Sequence, residues 1–158
     1  MSKNVPITKI LVPVDGSKQS DKAAEYAIDI AIRRNANLIV VHVMHLPAYA
    51  FTAAPIEGMT TPAVTPIPIT ISSEERKIVE KYLSKVRERA KRVGVKVKTK
   101  IVEDQPSIVH AITKIAEKEG CNLIVIGTKG RTGIKKFLLG SVASGVVTYA
   151  SCPVLVVR

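Results

Sequence analysis

Apolar and polar positions along the chain fall into two periods that alternate. Five short runs rich in β-branched residues, Lys9 to Val14, Leu38 to Met44, Val95 to Val102, Asn122 to Ile126 and Pro153 to Val157, read as strands. Four of them are near-continuous Val, Ile and Leu, as expected of strands covered on both faces in a parallel sheet. The exception, Val95-Lys96-Val97-Lys98-Thr99-Lys100-Ile101, alternates strictly, which predicts one solvated face and a place at a sheet edge. Between the strands the period lengthens to that of helices. Lys18 to Arg34 carries Ala24, Ala27, Ile28 and Ala31 on one face, and Asn35 is a natural stop. Ser72 with Glu75 makes a capping box for a helix from about Ser73 to Arg92, closed by Gly94. Ser107 to Glu119, closed by Gly120, and Ser141 to Ala150 complete the set. Strands alternating with helices predict an α/β fold: an open five-stranded parallel sheet, joined by right-handed crossovers, with helices on both faces.

No element is predicted from Leu46 to Ser72. This stretch holds five of the nine prolines and one charged residue, Glu57. A connection so long within a compact domain is a lid, a partner-binding arm or a disordered loop inserted between two elements. Its apolar residues, among them Ile56, Val64 and Ile67, argue against a freely solvated linker. Residues 1–158 otherwise read as one domain without internal repeats.

Composition narrows the function. A chain of this length buries enough surface to fold without disulfides or structural metal. No run approaches the ~18 to 20 apolar residues of a bilayer-crossing helix, and Met1 to Thr8 lacks the pattern of a secretory leader. Cys121 and Cys152, without a CxxC spacing, read as packed, reduced thiols of a cytoplasmic protein. Lys and Arg number 24 against 13 Asp and Glu, a formal net charge of +11, which suggests an anionic partner without naming it.

In an open parallel sheet, ligands bind beyond the carboxyl ends of the strands. The first strand is followed there by Asp15-Gly16-Ser17, and the fourth by Gly127-Thr128-Lys129-Gly130-Arg131-Thr132-Gly133. Three glycines interleaved with hydroxyls and cations bring backbone N–H groups close to an anion. Gly140-Ser141 then opens the last helix, whose free N–H groups suit a phosphate. The whole reads Gly-x2-Gly-x9-Gly-Ser; neither a P-loop nor a GxGxxG fingerprint occurs. A plainer role is open for Asp15 and Ser17 as caps of the first helix.

Taken together, Ile10-Leu11-Val12-Pro13-Val14-Asp15-Gly16-Ser17, the strand ending His42-Val43, the Gly127-x2-Gly130-x9-Gly140-Ser141 spacing and the ending Cys152-Pro153-Val154-Leu155-Val156-Val157 resemble the universal stress protein family over essentially the whole chain. The resemblance implies a Rossmann-like sheet of order 3-2-1-4-5, homodimers paired through the fifth strand, and membership of the branch that binds ATP. It places Pro13, Val14, Asp15 and Val43 at the adenine and ribose end, with Ser17 beside them and Ile126 near the base. Gly127, Gly130 and Arg131 would approach the phosphates, and Gly140, Ser141 and Val142 would close the cradle. Mg2+ would be held chiefly by the nucleotide's own phosphates, because the Gly127 to Ser141 region contains no Asp or Glu.

Catalysis has little support. His42, His45 and His110 lack the spacing of zinc ligands or of a nucleophile's base, and no Gly-x-Ser-x-Gly elbow surrounds Ser141. At most slow ATP hydrolysis is expected, and an ATP-using enzyme on the same sheet is the alternative. A phosphorylated receiver is set aside, because only Asp15 follows the first strand where such proteins need an acidic pair. Eleven of the 24 cations fall between Arg76 and Lys100. Without interleaved aromatics they read as a solvated face, and a nucleic-acid partner is the less favoured reading.

Overall fold

The computed structural model describes residues 5–44, 49–54, 57–58, 60–61, 63–68, 72–103, 107–128 and 139–158. In chain order its elements are β1 (Lys9–Pro13), α1 (Lys18–Arg34), β2 (Asn37–Val43), β3 (Tyr49–Ala54), β4 (Ala63–Pro68), α2 (Ser73–Arg92), β5 (Val97–Val102), α3 (Ile108–Glu119), β6 (Leu123–Gly127), α4 (Ser141–Tyr149) and β7 (Val154–Val157). Five strands form a parallel sheet of order β5-β2-β1-β6-β7. This is the expected 3-2-1-4-5 order once the two strands inserted after β2 are set apart.

Alternation along each strand sorts the core into two layers. Ile10, Val12, Leu38, Val40, Leu123 and Val125 point to the face covered by α1 and α2, where they meet Ala24, Ala27, Leu83 and Val86. Leu11, Ile39, Val41, Ile124 and Ile126 point to the other face and pack on Ala111, Ile112, Ala116, Ala143 and Val146 of α3 and α4. The alternating strand does lie at the edge: β5 pairs only with β2 among the described strands.

Local signals in the sequence account for the helix ends. Ser17, Ser72 and Ser107 each accept a hydrogen bond from the backbone three residues on, and Ser72 with Glu75 forms the full capping box. Asn35 and Gly120 close α1 and α3 in the left-handed conformation.

Two findings bear on the sequence reading, and the first departs from it. The stretch from Leu46 to Ser72, where no element is predicted, contains an antiparallel hairpin of β3 and β4. Its prolines and low charge mask the strand alternation that a period search relies on. The second concerns the basic stretch. Arg89 pairs with Asp21 and Glu25 of α1, Lys85 lies 3.9 Å from Asp21, Arg76 pairs with Glu103, and Lys98 and Lys100 pair with Glu119. Five of the eleven cations thus hold carboxylates of neighbouring segments, which accords with a structural surface.

Cys121 and Cys152 are free thiols beside the second core layer. Burial pushes the Cys121 thiol up to about 11, against ~8.5 for an exposed cysteine. The folded protein therefore keeps a proton that the unfolded chain gives up, and stability contributed by the neutral thiol is lost as pH rises from ~9 towards 11. Thermal melts of the parent should fall across that window more steeply than those of Cys121→Val.

Candidate functional site

The strand order creates one place where consecutive connections diverge. From β1 the chain passes to β2 and, after the hairpin and α2, outward to β5; α3 then returns it across the sheet to β6, on the other side of β1. Beyond the carboxyl ends of β1 and β6 lies an open cleft of about 720 Å3 of atom-free space, its mouth included.

The cleft gathers nine of the twelve residues singled out from sequence: Pro13, Val14, Asp15, Val43, Ile126, Gly127, Gly140, Ser141 and Val142. Ser17 is not among the lining residues. Its hydroxyl caps α1 through the Ser20 N–H at 3.1 Å, and its own N–H donates to Asp15 Oδ1 at 3.0 Å. The two plainer roles are thereby divided, with Ser17 as the cap and Asp15 bracing the turn while its carboxylate borders the cleft. Gly130, Arg131 and His45 lie outside the described residues. The lining also includes Ser20, His42, Ile108, Ile112, Thr128 and Ala143, which sequence reasoning did not assign. Ile108 and Ile112 carried a signal only as a core-facing helical pair, and nothing in their spacing indicated that α3 begins at the cleft.

His42 is buried, and its Nδ1 lies 2.7 Å from the Val14 carbonyl oxygen and 2.7 Å from the Tyr82 hydroxyl. A carbonyl only accepts, so Nδ1 carries the proton. The histidine ties β2 to the end of β1 and packs edge-on against Tyr82 of α2, with ring centroids 5.3 Å apart. It is both a hydrogen-bonded structural residue and a wall of the cleft. Gly16 completes this corner: its φ of +80° and the Tyr82 ring 3.1 Å from where a Cβ would sit leave room for glycine alone.

Another part of the lining is backbone. Thr128 donates its N–H to the Val157 carbonyl at 2.8 Å, and its own carbonyl accepts the Gly140 N–H at 2.7 Å, so residues 129–139 leave and rejoin the domain at one point. Gly140 is the N-cap of α4 and has no side chain to satisfy the first-turn donors, whereas α1, α2 and α3 are all capped by serine. The first intrahelical bond runs from the Ser144 N–H to the Gly140 carbonyl. The N–H groups of Ser141, Val142 and Ala143 therefore begin the helix without an intrahelical acceptor, at residues that line the cleft. Their positive dipole end is the chemistry an anion needs. Gly127 has a different reason to be glycine from the expected approach to phosphate: a Cβ there would lie 2.9 Å from the backbone C and O of Gln19, where α1 crosses the end of β6. Among the described residues no group of three or more His, Cys, Asp and Glu is placed to hold a metal, and no helix is long and apolar enough to cross a membrane.

Comparison with known proteins places this architecture. Residues 6–158 match the universal stress protein family. A universal stress protein of Methanocaldococcus jannaschii is 38% identical over 95% of this chain and 81% of its own length. One from Bacillus subtilis is 32% identical over 95% of this chain and 98% of its own length. Among solved structures, a universal stress protein in complex with cAMP superposes with a TM-score of 0.67 at 24% identity, covering 97% of this chain and 98% of that one. A universal stress protein from Archaeoglobus fulgidus in complex with dAMP gives 0.67 at 20% identity, over 97% and 99% of the two chains. With its sheet order, its cleft at the switch point and these relatives, the chain belongs to the universal stress protein family.

Proposed function

We propose that this protein binds ATP in the cleft between the ends of β1 and β6 and acts as a nucleotide-dependent regulator in a stress response. The observation that carries the reading is that Asp15 and the uncapped start of α4 line one cleft. A carboxylate accepts hydrogen bonds from ribose hydroxyls, and free N–H groups at a helix start donate to phosphate oxygens. Apolar side chains of Val14, Val43, Ile108, Ile112 and Ile126 provide the wall against which a base stacks. Family members crystallised with cAMP and dAMP support adenine as the base. The triphosphate rests on the Gly127-x2-Gly130-x9-Gly140-Ser141 spacing, with Gly130 and the Arg131 guanidinium as further phosphate contacts. Mg2+ would enter with the nucleotide, on its phosphates. Nothing in this set of groups orients a water for attack, so the reading is binding rather than efficient turnover.

The same reading includes a homodimer through β7. That strand ends the sheet, and Leu155 on it, with Val147 and Tyr149 of α4 nearby in sequence, is an exposed apolar residue. Titration calorimetry with Mg2+-ATP, ADP and AMP tests the central claim. Saturable binding of one ATP per chain, tighter than AMP, is the expected result; equal affinity for AMP removes the phosphate half of the site, and no binding of any of them removes the proposal.

A further inference from the structure

The inserted hairpin has two edges of unequal kind. In an antiparallel pair, residues alternate between those whose N–H and C=O face the partner strand and those whose groups face outward. The register sets Tyr49 opposite Pro68, Phe51 opposite Pro66 and Ala53 opposite Val64. Proline has no N–H to give, so Pro66 and Pro68 occupy outward-facing positions and the ladder runs through Ala50–Ile67, Thr52–Thr65 and Ala54–Ala63. The outer edge of β4 consequently lacks donors at Pro66 and Pro68, the standard protection of an exposed edge. The outer edge of β3 keeps its full set, at Tyr49, Phe51 and Ala53. No other described strand pairs with β3, and a two-stranded hairpin alone is marginal in water.

We infer that the open edge of β3 is an interface for a second copy of this chain, joined antiparallel about a two-fold axis near Phe51 into a sheet of order β4-β3-β3-β4. Charge argues for a copy of the same chain. Two molecules of net charge +11 repel, yet the stretch from Leu46 to Ser72 holds a single charged residue, Glu57, and β3 holds none, so the two strands meet without opposing like charges. Edge chemistry argues the same way. Pairing β3 with its own counterpart leaves a proline-protected β4 at both ends, so strand pairing at this surface stops at two copies. Main-chain bonds from the outward groups of Tyr49, Phe51 and Ala53 supply the contact, as in other strand additions. This surface is independent of the nucleotide cleft and distinct from β7.

The test is Ala53→Pro in the full chain. It removes one outward N–H while sparing the ladder to β4, and it lies outside both core layers. Sedimentation equilibrium over a concentration series, on the parent, on Ala53→Pro and on Leu155→Arg at the β7 edge, should show Ala53→Pro losing one two-fold step in mass that Leu155→Arg retains, with helical circular dichroism unchanged. Amide exchange in the parent supplies a reading that needs no variant: Phe51 and Ala53 should slow as concentration rises, while Thr52 is protected at every concentration. An identical mass for parent and Ala53→Pro, or fast exchange at Phe51 and Ala53 at all concentrations, overturns the proposal.

Discussion

Replacing Gly140 by aspartate is expected to weaken the proposed ATP binding on the order of 100-fold or more and to leave the fold slightly more stable. Gly140 sits at φ −61° and ψ 153°, extended backbone open to any residue, at the N-cap of α4. Aspartate is among the best N-cap residues, and its carboxylate accepts from the same first-turn N–H groups proposed to hold phosphate. The substitution exchanges an uncapped helix start for a capped one, worth a few tenths of a kcal/mol over glycine. A phosphate arriving there loses donors worth roughly 1.5–3 kcal/mol each and meets a like charge. Affinity for ATP should fall on the order of 100-fold or more, while the melting temperature of the ligand-free protein stays level or rises. Calorimetry and a thermal melt on one preparation check both halves. ATP affinity equal to the parent's would show that the α4 start does not carry the phosphates, because the folded variant has nowhere else to hide the effect.

The second large effect is on stability. Gly127→Ala puts a methyl group 2.9 Å from the backbone of Gln19, closer than carbon and oxygen tolerate. Backbone cannot rotate away as a side chain can, so the first turn of α1 or the end of β6 must move. Overpacking of this kind costs about 1–3 kcal/mol, and for a domain of this size the melting temperature should drop by about 3–10 °C. Gly145→Ala is the useful comparison. Its added methyl would sit 2.6 Å from a Val109 methyl, but Val109 is only half-buried on α3 and gives way more readily. Equal melting temperatures for Gly127→Ala and the parent would mean that the α1 start is loosely held, against its Ser17 cap and the bracing by Asp15.

Much of this was legible in the sequence because each feature depended on a local period. Three buried strands, β1, β2 and β6, announced themselves as unbroken Val, Ile and Leu, and the edge strand β5 as Lys alternating with Val and Thr, whereas the last run has the covered pattern yet forms β7 at the other edge, with Leu155 exposed. Serine caps and glycine stops marked helix ends for the same reason. The hairpin escaped notice because its prolines and near-absence of charge leave no apolar and polar alternation to read. Site residues divided along the same line. Those on strand ends and glycine turns could be placed through the resemblance to a family motif, whereas Ile108 and Ile112 reach the cleft only through the crossover of α3, a three-dimensional fact with no local trace. Gly127 shows the converse, a correctly singled-out position whose tightest constraint is the approach of another helix's backbone.

The pair of backbone bonds that joins Val157 to Thr128 and Thr128 to Gly140 bears on how such a protein diversifies. Closing a loop costs entropy that grows only with the logarithm of its length, ~0.6 kcal/mol for each doubling. With Thr128 and Gly140 already joined, a change in the number of residues between them alters this closure cost by only a fraction of a kcal/mol. The length of the segment proposed to meet the phosphates can thus vary at little cost in closure entropy, which leaves room to tune which anion the cleft retains while the sheet beneath it stays the same.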